Sequence, residues 1–532
     1  MNLLDWAIIA LYIAGLIVFS IFLSRGQKST EDYFLGSRNL PWWAIAISTM
    51  ATQLSAISFI SAPAFVAVRP GGGLIWLGYE FAVPLAMIFV MIVILPFLHR
   101  NHIVSIYEYL EHRFDLGTRT LISLIFQISR ALATGVGVYA IAIVFSVTVG
   151  MNLWLTILII GVVAMVYDTL GGIKAVIYTD VVQMGILLIG ILVCSGYALY
   201  YVGGWGEALA AVPAQRWQSI DWGHGFGDGA DFGFWPLLLG GFFLYVSYYG
   251  CDQSQVQREL SARNEDDLKK SLFFNGIFRF PVVLGYCLMG LLIGSLLLQD
   301  SAFAAEVSQS APDYMVPLFI MRYLPHGIIG VLAVAIFAAA MSSLDSALNS
   351  LSAASYKDIY QRYFQPQNSH DALKVSKILT VFWGIFCTGF AFLVGSISGT
   401  VIEAINKIGS AFYGPILATF LLGIMTRTAV ASAVKWGVLL GVGTNLIFWL
   451  ALPQVSWLWW NVIGFAVTFG FGYGISSLLQ KGELEPAPDD LTLVQGLPET
   501  SSKKNWKPAY VILGCYFVFM VMITYWIGTL AG

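Results

Sequence analysis

Within the stretch Ala333 to Ala353, Ser342, Asp345, Ser346 and Asn349 fall at i, i+3, i+4 and i+7. This is one helical stripe of oxygen-bearing side chains in sequence apolar enough for a membrane. The serines and alanines alone read as a small-residue seam for tight helix packing. Asp345 changes the reading, because a carboxylate within a membrane helix costs about 2.5–3.5 kcal/mol on insertion scales and marks an ion or substrate path. The stripe is a candidate cation site.

Other residues could do chemistry at membrane depth. Glu80 in WLGYEFAVPLAM and Arg279 in FNGIFRFPVVL are mid-span charges of opposite sign, expected to pair structurally or to hold a substrate. Arg130 in FQISRALATG is expected to snorkel to the cytoplasmic interface. Asp180, opening the sixth helix, reads as an interfacial residue or an N-terminal charge favoured by the helix dipole. Tyr245, Tyr248 and Tyr249 line a pocket or form aromatic packing. ATQLSAIS, Ala51 to Ser58, is a polar interruption of an apolar span: either a broken helix with carbonyls exposed to a cavity, or a serine-rich packing face. Nucleophile motifs, metal-ligand spacings and phosphate-binding glycine loops are absent from the sequence, which argues against an enzyme.

The elements that must position these residues are membrane helices. Hydrophobic residues make up 58% of the 532-residue chain and charged ones 11%, against about 25% in soluble domains. A net charge of -3 argues against nucleic acid as a partner. The five cysteines lie in or beside apolar runs without CxxC pairing, and read as core residues. The first apolar run lacks a basic region before it and a small-residue cleavage site after it, so 3–24 is expected to be a retained span.

Runs of about 20 residues predict fourteen spans, at 3–24, 42–66, 74–98, 120–148, 153–170, 176–202, 233–257, 271–298, 327–356, 374–396, 400–425, 431–452, 456–479 and 506–530. With the N-terminus outside, all but six of the 27 Lys and Arg residues collect in the odd-numbered connections. Arg69, Arg216 and Arg322 fall on the other side, and Arg130, Arg279 and Lys407 in or at the ends of spans. Both termini are therefore expected outside, with larger outer connections at 203–232 and 299–326. The polar, proline-containing stretch 480–505 is expected to be a cytoplasmic linker.

Four stretches, STEDYFLGSRNLPWWAIAIS, YDTLGGIKAVIYTDVVQ, DQSQVQRELSAR and AAAMSSLDSALNS leading into YKDIY, together resemble the sodium:solute symporter family in order and spacing. The resemblance implies an all-α polytopic protein with a five-plus-five inverted-repeat core whose first helices are discontinuous. It divides the chain into a leading helix and loop (1–41), first repeat (42–202), outer loop (203–232), second repeat (233–425) and peripheral C-terminal helices (426–532). Polar interruptions at ATQLSAIS and YYGCDQ agree with it.

Carried over from the family, the sodium ligands are Ala51, Leu54, Ala339, Ser342 and Ser343, hard oxygens suited to a small hard cation. A second cation position in some members uses an aspartate at the place of Asp180 with hydroxyls around Ser342 and Ser346; Asp345 departs from that pattern, so that either two carboxylates tighten a second cation or one of them holds a proton. Sugar-transporting members place an acid and a lysine at Glu80 and Arg279, an amide near Asn406 and a gating tyrosine near Tyr248. This sequence has arginine for that lysine, and Tyr245 and Ser58 where those members show amides. Arginine favours planar bidentate partners such as carboxylates.

The implied function is sodium-coupled import of a small hydrophilic organic solute (a sugar, polyol or sugar acid) across the plasma (inner) membrane by alternating access. A monocarboxylate or other organic anion is the alternative solute. A transporter-like membrane sensor, the reading from a different class, would need an attached output domain, for which 480–532 is too short.

Overall fold

Helix α1 (Leu3–Ser24) precedes α2 (Trp42–Gln53) and α3 (Ala56–Ala67), which form one span bent by 50°. The break follows from the sequence: Leu54 leaves helical geometry at φ -92° and ψ 62°, and the Ser55 hydroxyl accepts from the Ile57 N–H at 3.3 Å to start α3. The computed structural model describes residues 1–24, 29–100, 103–364, 369–394, 400–479, 491–493, 502 and 504–529, so most of the expected linker 480–505 lies outside the described residues.

Next come α4 (Leu74–Phe97), α5 (Leu116–Val149) and α6 (Leu153–Val202), a 50-residue element. The spans expected separately at 153–170 and 176–202 are two helices joined without a loop at Gly172, whose φ of 59° and ψ of -175° kink the chain. That left-handed φ suits glycine because a Cβ would meet the following carbonyl.

The second discontinuity separates α7 (Gly241–Cys251) from α8 (Gln253–Glu259). Asp252 there has extended dihedrals, and its carboxylate accepts from the Ser254 N–H at 2.8 Å. The remaining long helices are α9 (Glu265–Gln299), α10 (Ile328–Ala354), α11 (Ser369–Ala391), α12 (Val401–Met425), α13 (Ala431–Ala451), α14 (Trp457–Leu479) and α15 (Lys507–Thr529).

Among the described residues, eleven helices are long and apolar enough to cross a membrane, the bent α2–α3 pair counts as a twelfth, and Pro236–Cys251 is a shorter apolar helix. Among the described residues these helices bear out the polytopic helical architecture but not the exact count of fourteen. No strand occurs among the described residues.

Helix α10 forms the centre. It is buried on nearly every face and packs on α6, α5 and α1. Helices α12, α13 and α14 make a flanking group, and Gly414 of α12 allows close approach: a Cβ there would lie 2.1 Å from the Asn461 carbonyl.

Ion pairs brace both ends. At one, Arg119 binds Asp358 and Glu111 at 2.7 Å each, tying α5 to the extension of α10. At the other, Arg69 reaches Glu403 at 2.8 Å, and Asp313 accepts from the Ser61 hydroxyl at 2.5 Å and the Val401 N–H at 3.0 Å. These bonds join α3 to the start of α12.

Candidate functional site

Between the two broken helices lies a cavity of about 160 Å³. On one side Arg279 of α9 and Glu80 of α4 form a two-point pair, Nε to Oε2 at 2.5 Å and Nη2 to Oε1 at 3.1 Å. Tyr245 of α7 completes the group, its hydroxyl accepting from Arg279 at 2.8 Å and donating to Glu80 at 3.3 Å. Asn406 accepts from the Tyr79 hydroxyl at 2.9 Å, and Ser58 donates to the Gln53 carbonyl at 3.2 Å. Glu80, Arg279, Ser58, Tyr245, Tyr248 and Asn406 all line this one space.

Arg130 lines it too, which corrects the expected snorkelling. Its guanidinium is ion-paired with Asp252 at the break between α7 and α8, and lies over the Tyr248 ring at 5.3 Å. A buried acceptor and an aromatic face hold the charge inward more strongly than a path to the interface would draw it out.

The cavity continues to the break in α2. Ser343 of α10 donates to the Thr52 carbonyl at 3.1 Å, and Tyr286 of α9 donates to the Leu54 carbonyl at 3.4 Å. Leu54 and Ser343 thus line the cavity where α2 ends against α10, whereas Ala51, Ala339 and Ser342, on the same two helices, are buried beside it. The Ser342 hydroxyl is buried without a hydrogen-bond partner among the described residues.

Deeper along α10, Asp180 lies about two turns past the Gly172 kink of α6 and is fully buried, not at an interface as its sequence position suggested. Its carboxylate accepts from the Ser48 hydroxyl at 2.5 Å and pairs with Arg258 of α8 at 3.5 Å. Arg258 also donates to the Ser346 hydroxyl and to Ser48 at 2.8 Å. Asp180 and Ser346 therefore share a guanidinium, whereas both oxygens of Asp345 have no hydrogen-bond partner among the described residues.

The sequence profile of the sodium:solute symporter family matches residues 33–441. The chain belongs to that family. Sodium-coupled monocarboxylate transporter 2 of Mus musculus is 30% identical over 453 residues, 82% of this chain and 70% of the relative. The sodium/sialic acid symporter NanT of Aliivibrio fischeri is 27% identical over 511 residues, 94% of this chain and 98% of the relative.

Among solved structures, a substrate-bound, outward-open Na⁺-coupled sialic acid symporter superposes with a TM-score of 0.80 at 26% identity, covering 92% of this chain and 99% of that one. The nucleobase-cation symporter Mhp1, at 12% identity and a TM-score of 0.52, shares the fold. This protein is a sodium-coupled solute symporter and an integral membrane protein, not an enzyme.

Three features of the symporter's interior escaped the sequence reading. Asp252 reads as a helix cap in DQSQ, and nothing local shows that its other oxygen meets Arg130. Thr52 contributes both a carbonyl to Ser343 and a hydroxyl 3.3 Å from Ser346, and is hidden inside the interruption itself. Asp168, in YDTLGG, is fully buried in α6; its position within an apolar span was the available signal.

Proposed function

We propose that this symporter imports a small carboxylate-bearing hydrophilic solute, of the sugar-acid kind, together with sodium. The carrying observation is a surplus of donors. Arg279 Nη1, Arg130 Nε and Gln53 Nε2 are buried without hydrogen-bond partners, on three residues that line the same cavity. Unpaired buried donors each cost about 1–3 kcal/mol, so the favoured ligand brings acceptor oxygens. The carboxylate faces the free edges of the guanidiniums, and hydroxyls meet Tyr79, Asn406 and Gln53. The names of the relatives, a monocarboxylate and a sialic acid transporter, agree with a carboxylate.

A neutral sugar or polyol is the second reading. It is favoured by Glu80, which already neutralises Arg279 inside the cavity.

Sodium binds to the carbonyls of Ala51, Leu54 and Ala339 and the hydroxyls of Ser342 and Ser343, between α2 and α10. The repeats are 42–202 and 233–425, working by alternating access across the plasma membrane. The asymmetry of basic residues orients the Arg119–Asp358 end to the cytoplasm and both termini outside. Each ligand raises the other's affinity by the same factor if both favour the same state.

A thermal-shift screen of sugars, polyols, sugar acids and short carboxylates tests the solute. Stabilisation by a hydroxylated carboxylate in sodium, absent in potassium, is expected. Stabilisation by the neutral sugar alone would overturn the carboxylate reading.

A further inference from the structure

A second cavity, of about 450 Å³, lies apart from the solute cavity, at the end of the helix bundle that carries Arg69. One wall is the end of α3, at Val66 to Val68, with the last turns of α9 from Leu291 to Leu298. The other wall comes from two connections. Val212, Pro213 and Arg216 follow the short helix Trp205–Ala211, and Ala304 and Val307 belong to the helix Ser301–Ser308. Arg216 is the one charged residue in this lining. The lining hydroxyls of Ser308 and Ser310 donate to the Ala305 and Glu306 carbonyls at 2.9 and 3.1 Å, so they offer the cavity little.

Arg216 is half-buried, and its Nη1 donates to the Arg69 carbonyl at 2.5 Å. Among the described residues no acid pairs with it. Glu403 and Asp231 are committed to Arg69, and Asp300 and Glu306 to Arg322. Burial and the neighbouring Arg69 charge both hold the Arg216 pKa below its usual value, a penalty that an anion at its free nitrogens would offset. Exposed Tyr200 and Tyr201 at the end of α6, with exposed Trp205 just after it, form an aromatic belt of the kind that marks the boundary between membrane and water. The helix that Trp205 starts packs on α9, which places the cavity at that boundary. Leu298 lines the cavity and is itself exposed, so the cavity borders the lipid-facing surface.

We propose that this cavity seats an acyl chain of an anionic phospholipid from the adjoining leaflet, with the lipid phosphate at the Arg216 guanidinium. The apolar walls disfavour a hydrophilic solute, whose hydroxyls would lose water without gaining partners. Leu291 to Leu298 spans about 10 Å of helix, room for part of one chain while the rest of the lipid stays in the bilayer. A zwitterionic headgroup would bring its own cation towards Arg216 and Arg69. A bound lipid braces α3 against α9, and through the bond from Arg216 to the Arg69 carbonyl it bears on the Arg69–Glu403 contact that ties α3 to α12. The cavity shares no lining residue with the solute cavity, so this proposal stands or falls independently of the solute reading.

Native mass spectrometry of the purified, delipidated full chain tests the proposal, by titration with phosphatidylglycerol, with phosphatidylcholine of the same chains, and with oleate. The parent is expected to bind phosphatidylglycerol saturably, about tenfold or more tighter than phosphatidylcholine. Arg216→Gln should raise the phosphatidylglycerol dissociation constant about tenfold or more. Arg216→Lys should recover most of that affinity, and Ala304→Phe, which fills the cavity, should remove the bound lipid. Absence of saturable phosphatidylglycerol binding, or equal binding of phosphatidylcholine, overturns the proposal in the parent alone. Equal loss in Arg216→Gln and Arg216→Lys would trace the effect to the Arg69 carbonyl bond and overturn the headgroup assignment. Unchanged binding in both Arg216→Gln and Ala304→Phe would place the lipid elsewhere. Tighter saturation by oleate would replace the phospholipid with a fatty acid.

Discussion

The Ser343 hydroxyl donates to the carbonyl of Thr52 at 3.1 Å, across 291 residues of sequence. This bond closes the gap in α2 onto α10 and links the break in the first helix to the stripe of serines. A cation that takes the Ser343 hydroxyl as a ligand would compete with that contact, which couples ion binding to the fit of α2 against α10.

Ser343→Ala is therefore expected to raise the sodium concentration for half-maximal uptake by about tenfold or more, the loss of one polar contact of roughly 1.5–3 kcal/mol. Sodium titration of uptake in vesicles with matched expression measures it. Unchanged sodium activation would remove Ser343 from the site.

The Arg279–Glu80 pair predicts an asymmetry between single and double variants. Glu80→Gln leaves a buried guanidinium unpaired and is expected to cost about 3–5 kcal/mol of stability, whereas Glu80→Leu with Arg279→Met recovers most of it. Uptake should be lost in both. Thermal unfolding of the detergent-purified variants separates the stability effect from the transport effect.

Arg130→Lys keeps the charge beside Asp252 but removes the planar fork and its stacking on Tyr248. The half-saturating concentration of a carboxylate solute should rise about 10–100-fold. Competition uptake with the acid found in the screen reads this directly. An unchanged value would place the carboxylate elsewhere in the cavity.

Asp313, in the connection between α9 and α10, provides a pH test. Burial pushes its carboxyl up to about 6, even with Ser61 and the Val401 N–H donating to it. A carboxyl raised in the folded state contributes stability that is full below the unfolded value of about 3.8, and is lost as pH rises through about 6. Asp313→Asn should flatten the thermal stability between pH 4 and pH 7 by up to about 3 kcal/mol. A parent whose stability does not decline over that window would contradict the burial assigned to this group.

Local patterning made much of this legible in advance. The run of apolar segments, the polar gap at Ala51 to Ser58 and the spacing of Ser342, Asp345, Ser346 and Asn349 depend on side chains within a turn or two of each other, which sequence displays directly. The discontinuity at Leu54 and the family membership follow from such stretches. So does the division of α6, where Gly172 at φ 59° falls between the two spans expected there.

The sequence by itself determined that this protein is helical, crosses a membrane, carries costly charges within it and belongs among sodium-coupled symporters. Only the tertiary structure decided which charges meet: Glu80 with Arg279 over 199 residues, Arg130 with Asp252 over 122, and Asp180 with Arg258 over 78. The physical reason is that helical periodicity fixes the face a side chain occupies. The partner across that face is set by how whole helices pack, and in a low-dielectric interior that choice decides whether a charge is neutralised or left to a ligand.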